Sequence, residues 1–409
     1  MIRGGHFVIV GAGMAGGNAA RTLRQEGFDG RITMIGDEPG APFGRPPLSK
    51  TYLRGEEALS GWLVAPPSWY GDNDVEVLRG SVTAIDTDRR RVDLGGDTLE
   101  YAKLLIATGG RNRRIDIPGA GKVGIHQLRT VADCDAIKLD ARPGTHTLIV
   151  GMGFIGCEVA ASLRQLGLRV TAVFPGSFPL GSVLGPEMGE VFAGIHSDAG
   201  VELMAGDSVV QFEGSGRVER AVLQSGRHVD CDMAVVAVGI MPNVELARDA
   251  GIAVDNGILV DASCRSSIED VYAAGDVANQ LHPLFGRVRV EHYNNAEKHG
   301  AAAARSMLRG GIEYSYLHTF WSDQYTDKLE YAGHTKSWDR FVVRGSLQRR
   351  ELLGFYLEDG VVTAAVGLNR GGDPELDADS EMAAAARLVA KRARPDPTAL
   401  ADESWDLAG

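Results

Sequence analysis

Short apolar runs that end in glycine recur along the chain, and they predict buried strands of parallel sheets. Residues 7–10 read FVIV and run into GAGMAG; residues 148–150 read LIV and run into GMGFIG. Each is followed by small and apolar residues at helical spacing, predicting a helix that closes on the same Leu-Arg-Gln-x-Gly. The next strands are RITMIGDE in the first copy and RVTAVFPGSF in the second. Further strand-into-glycine runs are KLLIATGG at 103–110, MAVVAVGIMPN at 233–243 and DVYAAGDVAN at 270–279. Alternation in SVTAIDTDRRRVDL predicts half-buried strands, residues 39–47 and 66–71 are turn-rich, and an Ala-rich helix is expected over about 294–308. From about residue 319 the pattern turns to antiparallel strands, and a helix follows near 380–394. The fold class expected is α/β: two Rossmann-like dinucleotide-binding domains, the second inserted in the first, plus a mixed α/β C-terminal domain.

Composition narrows this in a few places. At 409 residues the chain exceeds one ordinary core, and 44% hydrophobic with 23% charged residues is the balance of a soluble globular protein. No run is long and apolar enough to span a bilayer, and MIRGGH leads straight into FVIV without a secretory h-region, so a cytoplasmic location is expected. Cys134, Cys157, Cys231 and Cys264 form no CxxC pair, which argues against a disulfide scaffold, a zinc knuckle or a dithiol centre. A net charge of −12 disfavours nucleic acid as a partner.

The two glycine turns carry the first chemical reading. In such a turn the first glycine allows the bend, the second lets backbone N–H groups approach a pyrophosphate, and the third lets helix and strand pack closely. One GxGxxG is weak; two, each between a strand and a helix, are much stronger. For the second copy the alternative is a βαβ unit retained for packing. In the first copy Asp37 and Glu38 stand where an acidic side chain takes ribose hydroxyls, the alternative being a solvated acidic turn.

With GAGMAG, APFGRPPLSK, LLIATGG, VGMGFIGCEVAASL, AVGIMPN, VYAAGDVA, VEHYNNA and FWSDQY in place, the chain resembles the FAD-dependent, pyridine-nucleotide ferredoxin reductases over nearly its whole length. These include the putidaredoxin reductase and biphenyl dioxygenase reductase types, with the apoptosis-inducing factor flavoproteins more distant. The resemblance implies residues 1–110 as the first part of an FAD domain, 111–241 as an NAD(H) domain, 242–318 as the second FAD part, and 319–409 as a C-terminal reductase domain. It implies FAD contacts at Gly11, Gly13, Met14, Ala15, Gly16, Asp37, Glu38, Arg45, Lys50, Val82, Ala107, Thr108, Gly109, Arg113 and Asp276. Glu291, His292 and Trp321 would flank the isoalloxazine, Trp321 either as an aromatic wall or at the electron exit. For NAD it implies Gly151, Gly153, Phe154, Ile155, Gly156, Glu158 and Gly239. Lys50 and Glu158 form the catalytic candidate pair, against a surface lysine and a helix-dipole glutamate as alternatives. No metal site is expected.

Disulfide reductases carry a reactive cysteine pair where this chain has RPPLSK, so electrons are expected to leave the flavin directly for an external acceptor. The function implied is hydride transfer from NADH to FAD, then single electrons to a [2Fe–2S] ferredoxin that supplies an oxygenase or cytochrome P450. The alternatives are a redox-controlled charge-transfer interaction protein and a slow NADH oxidase or quinone reductase. A monomer or weak homodimer is expected. Docking of an acidic ferredoxin would draw on some of Arg287, Arg289, Arg305, Arg309, Arg340, Arg344, Arg349 and Arg350.

The second copy raises one doubt about the donor. Gly36 and Asp37 align with Phe174 and Pro175, so the ribose acid is missing, and no arginine for a 2′-phosphate occurs between Arg169 and Arg217. A hydrogen bond to a charged group is worth about 1.5–3 kcal/mol, so its loss weakens ribose binding roughly tenfold to a hundredfold. NADH with weakened discrimination is therefore expected, and Phe174→Glu should raise the NADH over NADPH ratio.

Overall fold

The computed structural model describes residues 4–407. The reading of the extreme N-terminus, and the last two residues of the C-terminal segment, fall in part outside them. The chain divides into two compact units: Met1–Arg45, Leu59–Arg111 and Ile240–Tyr316 form the first; Pro46–Ala58, Asn112–Gly239 and Leu317–Gly409 form the second.

The first unit is built on five parallel strands in the order Val271–Ala273, Lys103–Ile106, His6–Val10, Arg31–Gly36, Val75–Arg79. The period of two that separates strand faces shows in the central strand. Phe7 and Ile9 pack into one buried cluster with Ala19 and Leu23 of the helix Met14–Gln25; Val8 and Val10 pack into the other with Ile35 and Ile106. The helix Tyr293–Arg309 lies against Met14–Gln25 so closely that a Cβ on Gly300 would come within 2.1 Å of the Ala15 carbonyl oxygen. The alternating stretch expected as strands forms a three-stranded antiparallel sheet, Ala84–Asp86, Arg91–Asp93 and Thr98–Glu100.

The second unit repeats the plan. Its parallel sheet runs Glu202–Ala205, Arg169–Phe174, His146–Val150, Met233–Val236, Ile125–His126, with the helix Phe154–Gln165 after the central strand. It also holds a five-stranded antiparallel sheet ordered Thr319–Gln324, Asp327–Gly333, Val361–Leu368, Glu351–Glu358, Arg340–Ser346. The helix Glu381–Ala390 covers this sheet, its N-terminus capped by Ser380 Oγ, which accepts from the Ala383 amide. The Pro-rich segment Pro46–Ala58 belongs to this unit through specific bonds. Leu48 C=O accepts from Cys134 Sγ, Ser49 C=O accepts from Ser162 Oγ at 2.7 Å, and Arg54 Nη1 donates to Ser162 Oγ at 3.1 Å.

Candidate functional site

The two glycine turns have nearly the same geometry, and in each the glycines divide by what they are needed for. Gly11 lies at φ +118°, and a Cβ there would meet the Ala107 carbonyl oxygen at 2.2 Å; Gly151, at φ +96°, would meet that of Ala237 at 2.5 Å. A Cβ on Gly16 would meet Gly11 O at 1.9 Å, and one on Gly156 would meet Gly151 O at 2.0 Å. These four positions are glycine because the fold requires it. Gly13 and Gly153 are different: both sit in extended backbone as the caps of the two helices, and a Cβ on either would meet nothing within 4 Å. Neither cap is made by a side chain, and neither helix has an acid in its first turn. Helix-start N–H groups uncapped by side chains, facing a strip of backbone that leaves room in front of it, fit a phosphate that approaches from outside. The residues present therefore suit a dinucleotide in both copies.

Around the first turn the structure gathers several expected residues. Gly36 lies within 2.5 Å of Ala12 by the same Cβ measure, so the strand end bearing Asp37 and Glu38 abuts the turn. Glu38 pairs with Arg45 at 2.6 Å, and Arg45 lies over the Phe43 ring. Gly275, preceding Asp276, packs on Ala15. Arg289 donates to Asp276 O at 3.2 Å and to Glu291 Oε1 at 2.5 Å, which ties Glu291 to the same corner, and His292 caps the next helix. Thr108 exchanges two hydrogen bonds with Asn243, 2.9 Å to its carbonyl oxygen and 2.8 Å from its side-chain amide, while Gly109 O takes the Asn243 amide at 3.0 Å. Val82 is buried in the core beside Val10 and Ile85, and Met14 is half-buried at the helix start.

In the second unit one face of the helix Phe154–Gln165 organises the site. Phe154, Glu158 and Ser162 recur at i, i+4 and i+8 and so line one stripe. Phe154 meets Phe320 edge-on at 5.0 Å, Ser162 holds the Ser49 backbone, and Glu158 lies between them. Glu158 Oε2 pairs with Lys50 Nζ at 2.7 Å and accepts from Ser49 Oγ at 2.5 Å; Oε1 accepts from Ser322 Oγ at 2.8 Å. The two charged side chains are only 11% and 5% exposed. Lys50 is thus no surface lysine, and Glu158 lies beyond the first turn of its helix, so the dipole reading does not account for it. Its charge also raises the neighbouring Cys157 thiol, which burial already pushes well up.

Ile155 is 43% exposed at the helix start. Gly239, at φ +91°, accepts the Arg113 amide at 2.9 Å, which places the two side by side in this unit. Trp321 is half-buried on Thr319–Gln324, opposite Glu330. Burial and the nearby carboxylates of Asp373 and Asp323 push Glu330 up to about 8.

Burial and pairing bear on two expectations. Phe174 is 4% exposed, its ring turned into the protein, so the exposed tip of the second strand begins at Pro175. The arginines expected to dock a partner are mostly engaged. Arg344 is buried and holds the C-terminal tail through the carbonyls of Glu403 at 3.1 Å and Trp405 at 3.0 Å. Arg305 and Arg309 share Glu26, Arg287 caps Val260 and Asn279 carbonyls, and Arg350 pairs with Asp198. Arg287, Arg305, Arg309, Arg340 and Arg349 are nonetheless exposed. Ser49 lies within RPPLSK and Ser322 within FWSDQY, and neither carries a role in the sequence pattern; a hydroxyl inside each motif is the signal that points to them.

The family described as pyridine nucleotide-disulphide oxidoreductase matches residues 5–300, and the one described as reductase C-terminal matches residues 319–409. The anthranilate 1,2-dioxygenase system ferredoxin–NAD(+) reductase component of Burkholderia cepacia is 39% identical, over 98% of this chain and 98% of that protein. Rhodocoxin reductase of Rhodococcus erythropolis is 35% identical, over 98% of this chain and 93% of its own length. Among solved structures, the reductase in the covalent putidaredoxin reductase–putidaredoxin complex superposes with a TM-score of 0.93 at 32% identity, covering 98% of this chain and 97% of that one.

Proposed function

The chain belongs to the pyridine nucleotide-disulphide oxidoreductase family, and within it we propose an FAD-dependent NADH:ferredoxin reductase that feeds an oxygenase or a cytochrome P450. One observation carries this reading. Two dinucleotide cradles stand in one chain, and the segment that would hold a redox cysteine pair instead presents Lys50 in a buried pair with Glu158. The four cysteines are all free and buried, and burial pushes Cys134 and Cys231 up to about 12, so no thiolate is ready to relay electrons.

FAD, when bound, accepts a hydride from reduced nicotinamide and gives up its electrons singly, which suits a one-electron [2Fe–2S] acceptor. The first unit would hold it: Gly13 leaves room for a pyrophosphate, Asp37 or Glu38 would take ribose hydroxyls, and Asp276 would bind the ribitol. The second unit would hold NADH at Gly153 in the same manner. Lys50 supplies a fixed positive charge and Glu158 fixes where that charge sits, both with little exposure to water. Among the described residues no helix is long and apolar enough to cross a membrane, which is compatible with work in the cytoplasm.

Anaerobic stopped-flow mixing tests the proposal: NADH should bleach the flavin rapidly, and the reduced enzyme should then reduce a [2Fe–2S] ferredoxin. Slow bleaching by both NADH and NADPH would overturn it.

A further inference from the structure

Glu158 is the end of a longer buried chain of hydrogen bonds. Beyond Ser322 the chain runs from Gln324 Nε2 to Ser322 Oγ at 3.2 Å, then between Gln324 Oε1 and His196 Nε2 at 3.0 Å, and from His196 Nδ1 to the Tyr325 hydroxyl at 3.2 Å. Ser322, Gln324 and His196 are 1%, 1% and 0% exposed. They come from two separate elements, the strand Thr319–Gln324 and the last turn of the helix Gly181–Asp198, and they converge on a third, the helix bearing Glu158.

The direction of every bond follows from the carboxylate. A carboxylate paired with an ammonium only accepts, so the single Ser322 proton goes to Glu158. Ser322 Oγ must then accept from the Gln324 amide nitrogen, which turns the Gln324 oxygen toward His196. That oxygen also only accepts, so the proton of the neutral ring sits on Nε2. Burial, lowering His196 to about 4, keeps the ring neutral. Nδ1 is left to accept from Tyr325. All four donors therefore point the same way, toward Glu158, and hydrogen bonds aligned head to tail polarise one another.

We infer that Ser322, Gln324 and His196 are positioning residues for the Lys50–Glu158 pair. They hold the Glu158 carboxylate in one orientation and concentrate its charge, and through it they set where the Lys50 ammonium stands. This rests on the reading of that pair as the hydride-transfer site.

The test is anaerobic stopped-flow reduction of the flavin-loaded enzyme by NADH. Ser322→Ala should lower the limiting rate about tenfold, the scale of one hydrogen bond to a charged acceptor, and leave the NADH dissociation constant within about twofold. Ser322→Thr, which keeps the donor, should restore the rate. Gln324→Met leaves Ser322 in place and should slow reduction in the same direction by a smaller factor; it carries the test if Ser322→Ala does not fold. In a Glu158→Gln background the effect of Ser322→Ala should shrink to about twofold or less, because the two changes act through one group. An equal effect in both backgrounds, or no effect of Ser322→Ala and Gln324→Met while Glu158→Gln is slow, overturns the positioning role and leaves the hydride site standing. An unchanged rate in Glu158→Gln alone overturns the hydride site itself, and the positioning role with it.

Discussion

Replacing Lys50 by methionine keeps an unbranched stem of similar length and removes the charge. In the native protein Nζ lies 2.7 Å from Glu158 Oε2, and both side chains are almost wholly out of water. Taking away one partner of such a pair costs about 3–5 kcal/mol, because the remaining charge stays buried. The hydroxyls of Ser49 and Ser322 still donate to Glu158, which puts the expected loss at the lower end, about 3 kcal/mol. The double variant Lys50→Met/Glu158→Gln removes both charges and keeps an amide that can bond the two serines. It should return to within about 1 kcal/mol of the native protein, since neutral replacement of a buried pair is often without cost. Urea unfolding at one fixed FAD concentration measures both, the ligand being held constant because it stabilises by mass action. Flavin reduction by NADH, measured on the same samples, should be slow in both variants. A loss below about 1 kcal/mol for Lys50→Met, as for an exposed pair, would refute the burial argument; native reduction rates in the stable double variant would refute the role of the pair.

Other outcomes follow from single positions. Gly153→Ala has open space for its methyl group, so stability should change by no more than about 1 kcal/mol, the scale of a cap substitution, while NADH binding measured by titration weakens. Gly11→Ala, whose Cβ would strike Ala107 O, should yield protein without flavin absorbance. Phe174→Glu would bury a carboxylate, so Pro175→Asp is the better probe of the ribose site: it should raise the NADH over NADPH ratio of kcat/KM, and an unchanged ratio would sink that assignment. Glu330 is held protonated to about pH 8 in the folded chain but ionises near its ordinary value of 4.5 when unfolded. The folded state thus binds the extra proton between those values, and stability falls as pH rises across them; Glu330→Gln should flatten that slope in thermal melts across the same range.

The local pattern was enough for the two glycine turns and their strands and helices, because each is built from a period and a turn within thirty or so residues of chain. The C-terminal antiparallel sheet was legible for the same reason. What the pattern could not reach are contacts between residues far apart in sequence. Ser49 meets Glu158, Glu158 meets Ser322, and His196 meets Gln324 only once three elements pack. Arg344 looked like a surface charge because an alternating strand does not say which side a long side chain takes when a tail later covers it. At Phe174 the chain shows only that no acid stands there; the burial of its ring follows from what packs over the strand end, which no local pattern records.

The chain passes between the two units five times, after Arg45, Ala58, Arg111, Gly239 and Tyr316. Synthesis proceeds from the N-terminus, and domains generally fold as units. Here the first unit cannot be completed until residue 316 has emerged, and Pro46–Ala58 must wait for the helix that carries Ser162 before its backbone finds a partner. Neither unit is a contiguous stretch that could be cut out and expressed, and a fragment beginning after residue 111 would lack Lys50 and leave the Glu158 carboxylate without its ammonium partner. The interleaving makes the Lys50–Glu158 pair a product of long-range closure, out of reach until the helix that carries Glu158 has been made.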